Sequence, residues 1–180
     1  VKKDASGEPL VQPVASIIVT QTRKKEGTPV NSMFRGVPAK DFGKASTVRI
    51  YEGRLYKPGL RELVVGRAAV RQFQHLELGD HVNFRGTDWT VVGHYEDNGS
   101  IAENAVIGDA DTMLSAFDRN AYQSFTVVLN SPADFKRFKD ALTSDPRLQV
   151  DVKTQREYVG DQLKQLTVII NFIGYFVGIV

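Results

Sequence analysis

His81, His94 and Glu96 are the residues of this chain with the types a zinc site uses, two imidazoles and a carboxylate. A metal needs them aimed at one point, so their value depends on the strands that carry them. The stretch HVNFRGTDWTVVGHYE reads as a β-hairpin turning at Gly86-Thr87-Asp88. With Thr87-Asp88 as its two-residue loop, Phe84 faces Val91, Val82 faces Gly93, and Trp89 joins them on one apolar face. His81 and His94 then lie opposite each other on the other face, with Glu96 two residues along. The competing reading is a pair of histidines on a solvated sheet face. Without a third ligand fixed by spacing that reading prevails, and no metal is assigned.

Other chemistry is sparser. Glu52, Arg54 and Glu62 offer acid and base groups, yet they flank turn signals and share no spacing that enforces a common site, so they read as turn and strand-edge charges. The sequence holds no G-x-S-x-G, no Walker-type loop, no dinucleotide fingerprint and no H-E-x-x-H. It also holds no cysteine, which excludes disulfides, thiolate zinc sites and cysteine nucleophiles. These absences count against an enzyme, and neither a catalytic residue nor a cofactor is assigned. Charge excludes nucleic acid as a partner: 23 basic residues stand against 21 acidic ones, interleaved rather than gathered into a stripe. The densest basic run, Arg23-Lys24-Lys25, is followed by Glu26-Gly27 and reads as a solvated strand end and turn.

The elements that must position these residues follow from periodicity and punctuation. ASIIVTQT and VNSMFRGVPA read as strands joined through the turn Glu26-Gly27-Thr28-Pro29, and Asp41 to Thr47 as a short helix. ELVVG is a buried-strand pattern running straight into a helix, RAAVRQFQHLELGD, with Val70, Phe73 and Leu76 at helical spacing and Gly79 as its stop. AVIGDADTMLSAF gives a short strand and a helix that turns Met113, Leu114 and Phe117 inward. SFTVVLN is a strand. SPADFKRFKDAL is a helix capped by Ser131, with Pro132 at its first position and Phe135, Phe138 and Leu142 as its buried stripe. LQVDVKT has the alternation of one more strand, so 125–154 reads as a β-α-β unit.

After Glu157 the pattern changes. It is mixed as far as Lys164, and from Leu166 to Val180, LTVIINFIGYFVGIV, it is apolar all round. A helix of that length at ~1.5 Å per residue reaches about 22 Å, short of the ~30 Å hydrocarbon core of a bilayer. The alternative is a buried core helix, which would normally carry a polar residue near a chain end, and Phe176, Val177, Ile179 and Val180 supply none. The run is read as the start of a membrane helix, in which Gly174 and Gly178 form a G-x-x-x-G that lets two spanning helices pack closely. The chain opens at Val1-Lys2-Lys3 with neither a methionine nor a signal-peptide core, and together these ends read as an excised piece of a longer protein.

The order VRIYEGRLYKPG, ELVVGRAAVRQF, LELGDHVNFRGTDWTVVGHYEDNGS and SFTVVLNSPADFKRFKDAL, then a strand and a membrane-entering helix, resembles the extracytoplasmic domain of MacB/FtsX-type ABC transporter permeases over nearly the whole chain. Its most telling pieces are E-G-R from Glu52 to Arg54, E-x-x-V-G from Glu62 to Gly66, L-G-D from Leu78 to Asp80, and W-x-V-V-G from Trp89 to Gly93. The resemblance implies an α+β, two-lobed domain. Its main lobe, containing the β-α-β unit, would be split into residues 1–57 and 108–156, with a smaller β-rich insertion at 58–107 and a stalk helix with the start of a transmembrane helix at 157–180.

The resemblance also implies a non-catalytic permease subunit of the inner membrane, with this domain facing the periplasm and four membrane helices per protomer. Its implied partners are a cytoplasmic ABC ATPase subunit, a second permease protomer, and a periplasmic adaptor or substrate protein. The implied function is mechanotransmission: ATP hydrolysis inside the cell moves the helices, and the outer domains respond, for export or extraction of a substrate. Glu157, Leu163, Lys164 and Leu166 are then stalk and coupling residues. The competing expectation is a membrane-tethered extracytoplasmic sensor or ligand-binding domain on a single span, which would share the folded body and the apolar tail.

Overall fold

A computed structural model describes residues 1–158 and Gly160 of the chain. It divides into two compact units, Val1–Val128 and Leu129–Val180. The first unit is a mixed α/β fold that runs β1 (Val11–Thr22), β2 (Pro29–Gly36), β3 (Arg49–Gly53), β4 (Glu62–Gly66), α1 (Arg67–Gln72), β5 (His81–Phe84), β6 (Thr87–Glu96), β7 (Val106–Gly108), α2 (Ala110–Ala116) and β8 (Ser124–Val127). Its eight strands form one sheet in the order β3-β6-β4-β7-β2-β1-β8, with β5 also paired to β6.

Alternation decides which side chains each strand sends to which face. Along β1, Ala15, Ile17 and Val19 are buried in the larger apolar cluster with Phe34, Leu63, Val65, Ala69, Leu76, Phe84, Trp89, Val91 and Met113. Phe34 is the hub of that cluster, meeting Trp89 edge-on at 4.9 Å and Phe117 edge-on at 6.0 Å between ring centroids. The opposite face carries a smaller cluster of Val14, Val37, Tyr56, Val64, Tyr95 and Ile107. Its two tyrosines keep their polar tips satisfied: Tyr56 donates to the Val37 carbonyl at 2.7 Å and Tyr95 to the Ala102 carbonyl at 2.7 Å. Burial pushes both phenols well above their ordinary pKa.

The helices depart from their sequence spacing for physical reasons. α1 stops at Gln72 rather than running on to Leu76. Phe73 closes it with an N–H bond to the Ala69 carbonyl at 2.9 Å, then turns extended (φ −115°, ψ 151°) to bridge with Arg23, while the Gln74 N–H reaches the Thr22 carbonyl at 2.9 Å. The chain thus exchanges helical bonds for ladder bonds to the end of β1, and Phe73 and Leu76 are buried all the same. The expected helix from Asp41 to Thr47 is a single 3-10 turn, Ala39–Asp41, followed by turns. β7, α2 and β8 form where the pattern places them. Asp109 caps α2 by accepting the Thr112 N–H at 3.2 Å and the Thr112 hydroxyl at 2.6 Å.

In the second unit, Ser131 Oγ accepts the Ala133 N–H at 3.2 Å and opens a 3-10 turn, Pro132–Asp134, that feeds α3 (Phe135–Thr143). The stripe of Phe135, Phe138 and Leu142 is half-buried. Residues 148–154 form no strand, so the β-α-β unit is corrected to a strand followed by a helix. Alternation assigns side chains to faces, but a strand exists only where a ladder partner accepts it. Both ends of this segment are tied locally instead. Asp145 takes the Arg147 N–H at 3.0 Å and its guanidinium at 2.7 Å, and at the far end Thr154 starts a helix. Among the described residues no helix is long and apolar enough to cross a membrane. Leu163, Lys164 and the run from Leu166 to Val180, with Gly174 and Gly178, lie outside the described residues.

Candidate functional site

The hairpin that carries two of the three histidines turns two residues earlier than its spacing suggests. Arg85 and Gly86 are the two loop residues, both at positive φ (51° and 84°), as a type I′ turn requires, and Asn83 Oδ1 accepts the Gly86 N–H at 2.9 Å. The register is therefore Phe84 with Thr87, Val82 with Trp89 and His81 with Thr90. This shifts every partner by an even number of residues, so Phe84, Val82, Trp89 and Val91 keep their common apolar face while His81 is moved away from His94. His81 is exposed, with Nδ1 3.1 Å from the Thr90 hydroxyl.

A bulge then reverses His94. Against β4, Leu63 pairs with Val91 but Val64 pairs with Gly93, leaving Val92 as the extra residue of β6. Trp89 and Val91 accordingly belong to the larger cluster, Val92 and Tyr95 to the smaller one, and His94 turns onto the face where Leu76 lies. The buried His94 ring is held on both sides, with Nε2 2.9 Å from the Leu76 carbonyl and Nδ1 2.9 Å from Glu52 Oε2. It ties β3 to the connection that follows α1.

Glu96 serves two cations, Arg49 and Arg67, the latter at 2.6 Å. The Arg67 guanidinium also lies over the Tyr51 ring at 4.4 Å from its centroid. His81, His94 and Glu96 are thus distributed over three separate sets of partners. Among the described residues no group of three His, Asp or Glu side chains converges as a metal would need.

Arg54 and Glu62 are brought together in a fork: Nη1 meets Oε2 at 2.6 Å, Nη2 meets Oε1 at 2.6 Å, and Oε2 accepts the Lys57 N–H at 2.9 Å. The Arg54 guanidinium, with lesser help from the Lys57 N–H, holds the Glu62 carboxyl below its ordinary range. The pair closes the loop between β3 and β4. Glu52, Glu62 and Glu96 therefore act as cross-links between strands and loops, each engaged by a donor that the fold supplies.

Glu157, the described member of the coupling residues, belongs to a reciprocal cap. Its Oε2 accepts the Thr154 N–H at 2.8 Å and the Thr154 hydroxyl at 2.9 Å, while Thr154 Oγ1 accepts the Glu157 N–H at 3.2 Å. This is a capping box, and residues 155–158 are helical directly after its cap residue, Thr154. Thr154 went unnoticed in the sequence although its Thr-x-x-Glu spacing was a legible signal. The Glu52–His94 contact had no such signal, because it depends on the bulge.

A family model described as the MacB-like periplasmic core domain matches residues 2–145. Among solved structures, the periplasmic region of MacB from Actinobacillus actinomycetemcomitans is similar at a TM-score of 0.59 and 15% identity, over 86% of this chain and 75% of that one. The extracellular domain of the ABC-type transporter YknZ from Gram-positive bacteria is similar at a TM-score of 0.54 and 15% identity, over 72% of this chain and 69% of that one. At such identity the two likenesses speak for the fold alone. No curated protein sequence matches the chain significantly.

Proposed function

Because this chain belongs to the MacB-like periplasmic core domain family, a non-catalytic part of ABC transporter permeases, we propose that it relays motion between membrane helices and the periplasm. The carrying observation is the capping box at Thr154 and Glu157, which starts a helix just ahead of the apolar run from Leu166 to Val180. A helix transmits displacement with little internal slack, and a satisfied first turn keeps its origin from fraying. Glu157, Leu163, Lys164 and Leu166 form the coupling segment in this reading, and the apolar run is the start of a spanning helix in the inner membrane that packs through Gly174 and Gly178.

The cross-linked strands of the first unit suit a body that is moved rather than one that reacts. In the assembly so proposed, a cytoplasmic ATPase supplies the stroke, a second permease protomer faces this one, and a periplasmic adaptor or substrate protein receives the change for export or extraction. Two glycines inserted after Lys164 in the full-length transporter are expected to abolish transport while ATP binding persists. Undiminished transport by that variant overturns the coupling role.

A further inference from the structure

Among the described residues of the first unit, the face of the sheet that holds the smaller cluster is covered by residues 37–56. Farther along β1 and β2 it is open. Ile18 and Met33, direct cross-strand partners, are 54% and 37% exposed there, flanked by Ser16 and Thr20 on β1 and by Asn31 and Arg35 on β2. An apolar pair matched across two strands on an exposed sheet face is a small apolar anchor, and its polar surroundings decide what it can bind.

Arg35 gives that surface a sign. It is half-buried between its cross-strand neighbours Ser16 and Ile107, and no carboxylate among the described residues forms an ion pair with it. It lies within electrostatic reach of the Tyr95 phenol, as do Asp97 and Glu103. Those two buried acids are already engaged, Asp97 by the hydroxyls of Thr47 and Ser100 and Glu103 by the N–H groups of Asp97 and Gly99. The Arg35 fork is left for an acceptor that approaches from outside.

We propose that the open β1–β2 face docks a segment of a partner protein that sets a carboxylate on Arg35 and apolar side chains on Ile18 and Met33. Charge selects this occupant. Ser16, Thr20, Asn31 and Arg35, which frame the apolar pair, include no acid, so a second copy packed through these residues by two-fold symmetry would offer Arg35 no acceptor. Beside the apolar pair a lipid surface would meet Arg35 alone, since the basic run Arg23-Lys24-Lys25 lies at the hairpin end with Lys24 paired to Glu77, whereas stable headgroup binding draws on clusters of cations. The inference stands apart from the coupling role, since it concerns the surface of this chain without any ATPase.

The test uses the full chain in phosphatidylcholine nanodiscs, labelled at Ile and Met methyl groups and titrated with the blocked peptide Ac-Leu-Asp-Leu-Asp-Leu-NH2 and with its Asn counterpart. The Asp peptide is expected to move the Ile18 and Met33 methyl resonances saturably and to bind about tenfold more tightly than the Asn peptide. Arg35→Gln should erase that difference. The double variant Ile18→Ser with Met33→Ser, at exposed positions that leave folding intact, should weaken both peptides. The proposal is overturned if the methyls stay still, if the two peptides bind alike, if the shifts arise from protein concentration alone, or if phosphatidylglycerol in the nanodisc produces them without peptide.

Discussion

Arg54 and Glu62 show how much one residue pair can commit. The Glu62 carboxyl sits below its ordinary pKa, first because of Arg54 and then because of the Lys57 N–H. Its contribution to stability is therefore present above the ordinary carboxylate value and is lost as pH falls through the lower, folded value. Thermal midpoints followed from neutral pH into acid should fall less steeply for Glu62→Gln than for the natural chain, and parallel slopes would remove the pair from the account. Gly93 has a different constraint: a Cβ there would run into the Arg54 carbonyl, so Gly93→Ala should cost about 2 kcal/mol in denaturant unfolding. Gln21 is the opposite case, 5% exposed with neither amide atom paired to a described group. Gln21→Met should raise stability by about 1 kcal/mol, because a buried unpaired amide costs more than a thioether of similar size. Of these residues, the turn and edge placement of Arg54 and Glu62 was legible beforehand, and so was Gly93 as a position for positive φ or close packing, of which the structure shows the close packing. The clash at Gly93 and the partners of Glu52 depend on strands far apart in the chain, which no local pattern encodes.

Elements were legible where their own residues decide them. β4, β7, α2 and β8 arise from apolar patterning and a good cap, and each forms where the sequence put it. The hairpin was half legible: the face that Phe84, Val82, Trp89 and Val91 share survived because the register error was even, whereas the placement of His94 did not survive the bulge at Val92. α1 and the segment 148–154 show the limit of periodicity. Phe73 and Leu76 are buried at helical spacing without being helical, and LQVDVKT alternates without finding a ladder. Tertiary partners outvote local pattern in both places. The helix that starts after Thr154 is the element whose origin can be tested alone. Thr154→Val removes the capping oxygen and should cost about 1 kcal/mol locally. Amide exchange at Glu157 and Tyr158 should then speed up about fivefold, and unchanged protection would show that the box does not hold that turn.

At the scale of the molecule, the first unit has a built-in reporter, because the chain's single tryptophan, Trp89, lies fully buried in the larger cluster. Leu76 shares that cluster and its carbonyl also meets His94, so Leu76→Ala should lower stability by about 3 kcal/mol and shift the Trp89 fluorescence transition with it. A fluorescence transition that stays in place would mean the cluster unfolds in pieces. Non-local pairing dominates this unit: β1 near its start pairs antiparallel with β8 at its end, Val11 with Val127 and Val14 with Ser124, and the Lys2 N–H reaches the Val128 carbonyl at 2.8 Å. Entrance and exit of the unit consequently share one corner. Hauled in the same direction, both ends carry the body along with no rung of that ladder under strain. Prised apart, they open it like a zipper, one rung after another, so the domain resists being dragged and yields to being split.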